Sequence, residues 1–165
     1  MPMSHMDDAL LALLHSRSTA ALGTRTQEGD VAVSLVPYAI DPVSGAFVIL
    51  ISGLAAHTRQ LQHHPRASLL VCDSEDRADN VHAIARVSLD VEASWPAADS
   101  AQARHASGAY LARHPAAMQL TQLPDFRWVC LHPRQARHVA GFGAARTIDQ
   151  IHIFRLIVNH SSERR

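Results

Sequence analysis

Apolar positions along the chain switch between a helical and a strand period. Leucines at 10, 11, 13 and 14 follow Ser4 and the acidic pair Asp7–Asp8, which predicts a short amphipathic helix with negative charge at its positive end. The stretches TAALGTR and DVAVSLVPYAI alternate as strands around the turn TQEGD, and DPVSG turns the chain into AFVILIS, so a three-stranded meander is expected. In LAAHTRQLQHH, Leu54, His57, Thr58 and Leu61 stand at i, i+3, i+4 and i+7, the spacing of one helix face, and Pro65 bars helical geometry at His64. RASLLVCD reads as the next strand, SEDRADN as a loop, and VHAIARVSLDVEASW as a long strand. An Ala-rich segment predicts a helix from an Asp99 or Ser100 cap to Pro115, and FRWVCLHPRQARHVAGFG predicts two strands about a turn.

Six or seven antiparallel strands with a few short helices, at close turn spacing, predict a barrel or a sandwich. Strands do not alternate with full-length helices, which argues against a doubly wound α/β fold. No repeat or low-complexity linker divides residues 1–165, so one domain is expected, with 1–6 disordered or vector-derived and 147–165 a C-terminal tail or helix.

Composition removes several functions. All fifteen basic residues are Arg, so a pyridoxal phosphate Schiff base and a P-loop both lack their lysine. Fifteen acidic residues balance them, and a net charge of zero provides no general attraction to nucleic acid or an anionic membrane. Cys72 and Cys130 lie far apart in apolar runs, as expected of buried thiols in a reducing compartment. No run reaches membrane-spanning length and the N-terminus lacks the basic start of a signal peptide, so a cytoplasmic location is expected.

Candidate chemistry gathers in LISGLAAHTRQLQHHPRASLLV. Backbone N–H groups at a helix start, the Thr58 hydroxyl and the Arg59 guanidinium together suit an anion such as phosphate; the alternative is a connection whose polar residues face water. Gly141-Phe142-Gly143 suits close approach to a flat ligand or a glycine bulge at a strand end. Twelve histidines form no HExxH or Cys/His quartet, and no GxSxG or Cys/His arrangement indicates a nucleophilic enzyme. His160 lies on a tail, free to reach a ligand or a second subunit, and Asp125 suits a turn cap or an acceptor for an imidazole.

The ordered pair HTRQL…HPRASLL and DFR…HVAGFG, with YLARHP and the preceding meander, resembles the FMN-binding split-barrel family related to pyridoxamine 5'-phosphate oxidase, most closely its haem-utilisation branch. The resemblance spans roughly residues 8 to 146. It implies a homodimer of six-stranded antiparallel split β-barrels with the cofactor at the subunit interface. Ser34, Val36 and Pro37 match flavin-facing positions, and Ser52, His57, Thr58 and Arg59 match the phosphate-holding ones. Relatives commonly place a Lys beside the Arg, where this chain has His57, so phosphate binding is expected to depend on pH. The basic and tyrosine set that grips pyridoxal phosphate is missing, which argues against vitamin B6 oxidation.

The main expectation from this resemblance is an FMN-dependent oxidoreductase acting on a small molecule. The haem-utilisation branch implies an alternative, a haem-binding or haem-degrading protein of iron utilisation, with His160 as axial ligand and Asp125 of the partner chain orienting it. His152 is a second candidate for that ligand. A non-enzymatic carrier or an empty dimeric scaffold is the third reading.

Overall fold

The computed structural model describes residues 3–163, with side chains described as far as His160. Helix α1 (His5–Ser16) begins in a capping box: the Asp7 backbone N–H donates to Ser4 Oγ, and the Ser4 N–H donates to Asp7 Oδ2. Ser4 caps this helix and His5 and Met6 lie in its first turn; Met1 and Pro2 lie outside the described residues. Leu10, Leu11, Leu13 and Leu14 are buried, each contributing on the order of 1.5–3 kcal/mol by leaving water.

Eight antiparallel strands follow rather than six: β1 (Thr19–Arg25), β2 (Val31–Pro37), β3 (Ala39–Ile40), β4 (Phe47–Ser52), β5 (Arg66–Cys72), β6 (Arg86–Ser94), β7 (Phe126–Gly141) and β8 (Ala144–Asp149). The sheet order is β2-β1-β5-β6-β7-β4-β3, with β8 pairing β7 off this path. The expected meander is therefore not formed. Strands β1 and β2 make a hairpin, but β4 pairs β7, near the other end of the sheet.

The two ends of the sheet, β2 and β3, are consecutive in the chain with only Tyr38 between them, so the sheet curls until its ends meet. Tyr38 is fully buried at this seam, donating its N–H to the Ser18 carbonyl and its hydroxyl to the Leu14 carbonyl.

Strand β7 is one continuous element of 16 residues, where two strands about a turn were expected. One edge pairs β6. The other is divided between β4, along Phe126–Leu131, and β8, along Gln135–Gly141. Pro133 falls at the division, opposite a register shift at Asp90/Val91, where a missing backbone donor is tolerated. The expected strand 81–95 is shorter, since Val81–Ala83 forms a 3-10 turn before β6.

Helix α2 (Ala56–His63) follows β4, and α3 (Ala101–Arg113), capped by Ser100, covers β4 and β7 through Ala106 and Tyr110. The C-terminal segment forms β8 and then α4 (Gln150–Glu163), whose Ile153, Leu156 and Ile157 join the leucines of α1 in the main core.

Candidate functional site

The segment after β4 builds a corner from four of the residues singled out in sequence. The Ser52 hydroxyl donates to Asp125 Oδ2 at 2.5 Å and accepts from the Leu54 N–H, while the Thr58 hydroxyl donates to the Ser52 carbonyl at 2.6 Å. The Gly53 N–H donates to the Asp125 carbonyl at 2.7 Å. A Cβ on Gly53 would stand 3.2 Å from that oxygen, so glycine permits the close approach. Arg59 is exposed, with one long 3.5 Å contact to the Leu54 carbonyl.

Beside this corner lies an open cleft of about 410 Å³ lined by Leu54, Thr58, Gln62, Pro124, Asp125 and Arg127. The Arg127 guanidinium donates to the Pro124 carbonyl. Arg127 and Gln62 were not singled out in sequence, although Arg127 follows Asp125 within the DFR stretch.

This chemistry suits a phosphate dianion poorly. Both hydroxyls are committed to protein acceptors, Thr58 is buried, and the Asp125 carboxylate brings negative charge to the corner. Burial lowers the His57 pKa, so its imidazole is neutral at neutral pH and adds no cation. What favours an anion is Arg59 and the start of α2, whose N-cap Ala55 makes no side-chain bond.

On β2 the expected flavin-facing residues do not form one wall. Ser34 and Val36 share the inward face, Val36 inside the core and the Ser34 hydroxyl buried without a hydrogen-bond partner, whereas Pro37 points to the opposite face. That outer face carries Val31, Val33 and Leu35 at 81%, 71% and 70% exposure, an apolar stripe on an edge strand.

The two candidate iron ligands differ. His160 lies in the last turn of α4 rather than on a free tail, with its ring 5.4 Å from that of His15 and its Nε2 atom buried without a hydrogen-bond partner. A ring nitrogen with no protein partner fits a metal ligand. His152 has its Nε2 3.1 Å from Asp7 Oδ1, which leaves its Nδ1 as the nitrogen that could meet a ligand. His160 packs against α1 while Asp125 stands at the β4–β7 corner, so one subunit does not bring these two together.

A cluster unforeseen in sequence lies under α1. Asp7 Oδ1 accepts from Arg146 at 2.7 Å and faces His152. Burial pushes the Asp7 carboxyl up, but hydrogen bonds from Arg146, His152 and Ser4 outweigh it and hold the group well below the usual carboxylate range. Nearby His138 is fully buried with neither ring nitrogen bonded; burial and the Arg146 charge lower its pKa against the opposing pull of Asp7.

Among the described residues, no helix is long and apolar enough to cross a membrane, and no group of three or more metal-ligating side chains is present. Residues 6–140 match the model of the family described as pyridoxamine 5'-phosphate oxidase. The protein named Heme oxygenase HutZ, from Vibrio cholerae, is 33% identical over 136 residues, covering 78% of this chain and 73% of its own length. Non-canonical heme oxygenase HOZ, a chloroplastic protein of Arabidopsis thaliana, is 32% identical over 142 residues, covering 84% of this chain; the match spans 41% of the plant protein. Among solved structures, a heme binding protein from Mycobacterium smegmatis superposes with a TM-score of 0.83 at 27% identity, over 93% of this chain and 62% of that one.

Proposed function

From the premise that the chain belongs to the pyridoxamine 5'-phosphate oxidase family, we propose that it binds haem and serves haem utilisation, as a haem-degrading or haem-carrying protein. The observation that carries this reading is the pair of curated relatives above 30% identity, both named heme oxygenases, each aligned over more than three quarters of this chain. The sequence alone had favoured an FMN oxidoreductase; these relatives support the alternative better.

In this reading haem is the substrate or cargo, held at the interface of a homodimer. His160 supplies the imidazole for the iron, and its unpartnered Nε2 supports that role. Asp125 of the partner subunit accepts a hydrogen bond from the other ring nitrogen, holding the ring's orientation and raising its basicity. The exposed Val31, Val33 and Leu35 stripe supports a second copy as the cover of that face. Haem, when bound, brings the redox-active iron; the chain's own residues bind it, orient it and exclude water.

A flavin reading stands second, resting on Arg59 and the uncapped start of α2. Titrating hemin and FMN separately into the same apo-protein, followed by absorbance, distinguishes the two. Saturable hemin binding at one per subunit with weak or absent FMN binding is expected. Stoichiometric FMN binding without hemin binding would overturn the haem reading.

A further inference from the structure

The cleft beside the Ser52–Asp125 corner is lined by two unlike kinds of residue. Leu54 and Pro124 are exposed apolar side chains on its wall, and Leu123, also exposed, precedes Pro124. Gln62, Asp125 and Arg127 supply polar groups. An apolar wall with a few placed polar groups suits a small molecule that is largely apolar and carries charge at one edge.

Among the described residues that line this cleft, Arg127 is the only cation. Its Nη1 donates to the Pro124 carbonyl at 2.6 Å and to the Phe126 carbonyl at 3.0 Å, which fixes one arm of the guanidinium. Among the described residues, Nε and Nη2 donate to nothing and the group joins no ion pair. Those two nitrogens are a pair of parallel donors of the kind that grips a carboxylate, and the exposure of Arg127 leaves them open to a ligand. Neighbouring charge decides which anion fits. The Asp125 carboxylate lines the same cleft, committed through Oδ2 to Ser52, so the lining side chains sum to no net charge. A phosphate dianion would bring two further negative charges beside Asp125, whereas a carboxylate brings one and matches a single guanidinium in charge and shape.

We infer that Arg127 grips a propionate carboxylate of haem through Nε and Nη2, so that this residue selects tetrapyrroles whose propionates are free. The inference rests on the haem reading above and adds to it the group that recognises the charged edge of the ring. Leu54 and Pro124 meet the apolar part of the ligand. Asp125, which that reading pairs with the histidine of the iron, lines the same cleft, so both parts of the recognition belong to one site.

The test titrates two forms of one ligand, hemin and hemin dimethyl ester, into the full chain, with binding read by absorbance. Wild type should hold hemin at least about 10-fold more tightly than the ester, the scale of one charge-assisted hydrogen bond. Arg127→Ala should bind the ester as wild type does, and hemin no better than the ester. Where circular dichroism shows that variant misfolded, Arg127→Gln replaces it, since its amide can still donate to the Pro124 or Phe126 carbonyl. His160→Ala should weaken both forms and keep the preference between them. Equal binding of the two forms by wild type, or a preference that survives loss of Arg127, would overturn the inference, while a Soret complex that depends on His160 keeps the haem reading standing. Absence of a complex with either form would overturn both.

Discussion

The Asp7 carboxylate accepts a 2.7 Å hydrogen bond from the Arg146 guanidinium, tying the first turn of α1 to β8 across 139 residues of chain. Removing one member of a buried charge pair leaves the other uncompensated, but Arg146 keeps partial access to water, which moderates the cost. Asp7→Asn should therefore lose about 2–3 kcal/mol of unfolding free energy at pH 7. Because folding depresses this carboxyl, its contribution is full above the unfolded value near 4 and is lost as pH falls through the lower folded value. Urea unfolding of wild type and variant from pH 7 to pH 3 should show the gap narrowing below about pH 4; a gap independent of pH would contradict this account.

His138 presents the opposite case, a fully buried imidazole with both nitrogens unbonded. An apolar side chain of similar volume removes a desolvation cost, so His138→Leu should change stability by less than about 1.5 kcal/mol and can stabilise. Folding lowers this pKa, so the unfolded chain binds the extra proton first and wild type loses stability as pH falls below about 6.5. Denaturation at pH 7.5 and pH 5 should show a smaller acid loss in the variant; an equal loss in both would remove His138 from the account.

Thr58 is buried with its hydroxyl on the Ser52 carbonyl, a contact that holds the corner rather than a ligand. Thr58→Val should cost about 1–2 kcal/mol, and Thr58→Ser should recover most of it. Thermal unfolding of both variants checks this. Equal melting temperatures for wild type and Thr58→Val would leave the hydroxyl free for another role.

Val33 and Leu35 are exposed on edge strand β2 and contribute little to the single-chain core. Val33→Glu with Leu35→Glu should leave the fold within about 1 kcal/mol of wild type and halve the particle mass measured by light scattering. A wild-type monomer would remove the proposed homodimer, and a variant that remains dimeric would move its interface elsewhere.

Much of the secondary structure is legible because it is local. The leucines of α1, the apolar run of β4 and the Ser100 cap of α3 each announce an element within a dozen residues. Pairing is not local: nothing in AFVILIS shows that it lies beside β7 rather than β2, since that partnership follows from how the whole sheet curls. His132-Pro133 reads as a turn because proline removes a backbone donor, yet the facing register shift accommodates it within one strand. Helix α4 did leave a signal, Ile153, Leu156 and Ile157 at helical spacing after Asp149, whose carboxylate accepts from the His152 N–H as an N-cap. At the site, Ser52, Thr58 and Arg59 were legible as a group and Asp125 as a separate candidate, but the commitment of the Ser52 hydroxyl was not, because it depends on where Asp125 arrives from 73 residues away.

The central claim is that this chain binds haem through His160, and absorbance titration of hemin into wild type and His160→Ala tests it most directly. The account predicts a Soret band saturating at one hemin per subunit in wild type, and at least a roughly tenfold weaker, spectrally shifted complex in the variant. A wild-type protein without a Soret complex, or a variant whose spectrum and affinity match wild type, would contradict it.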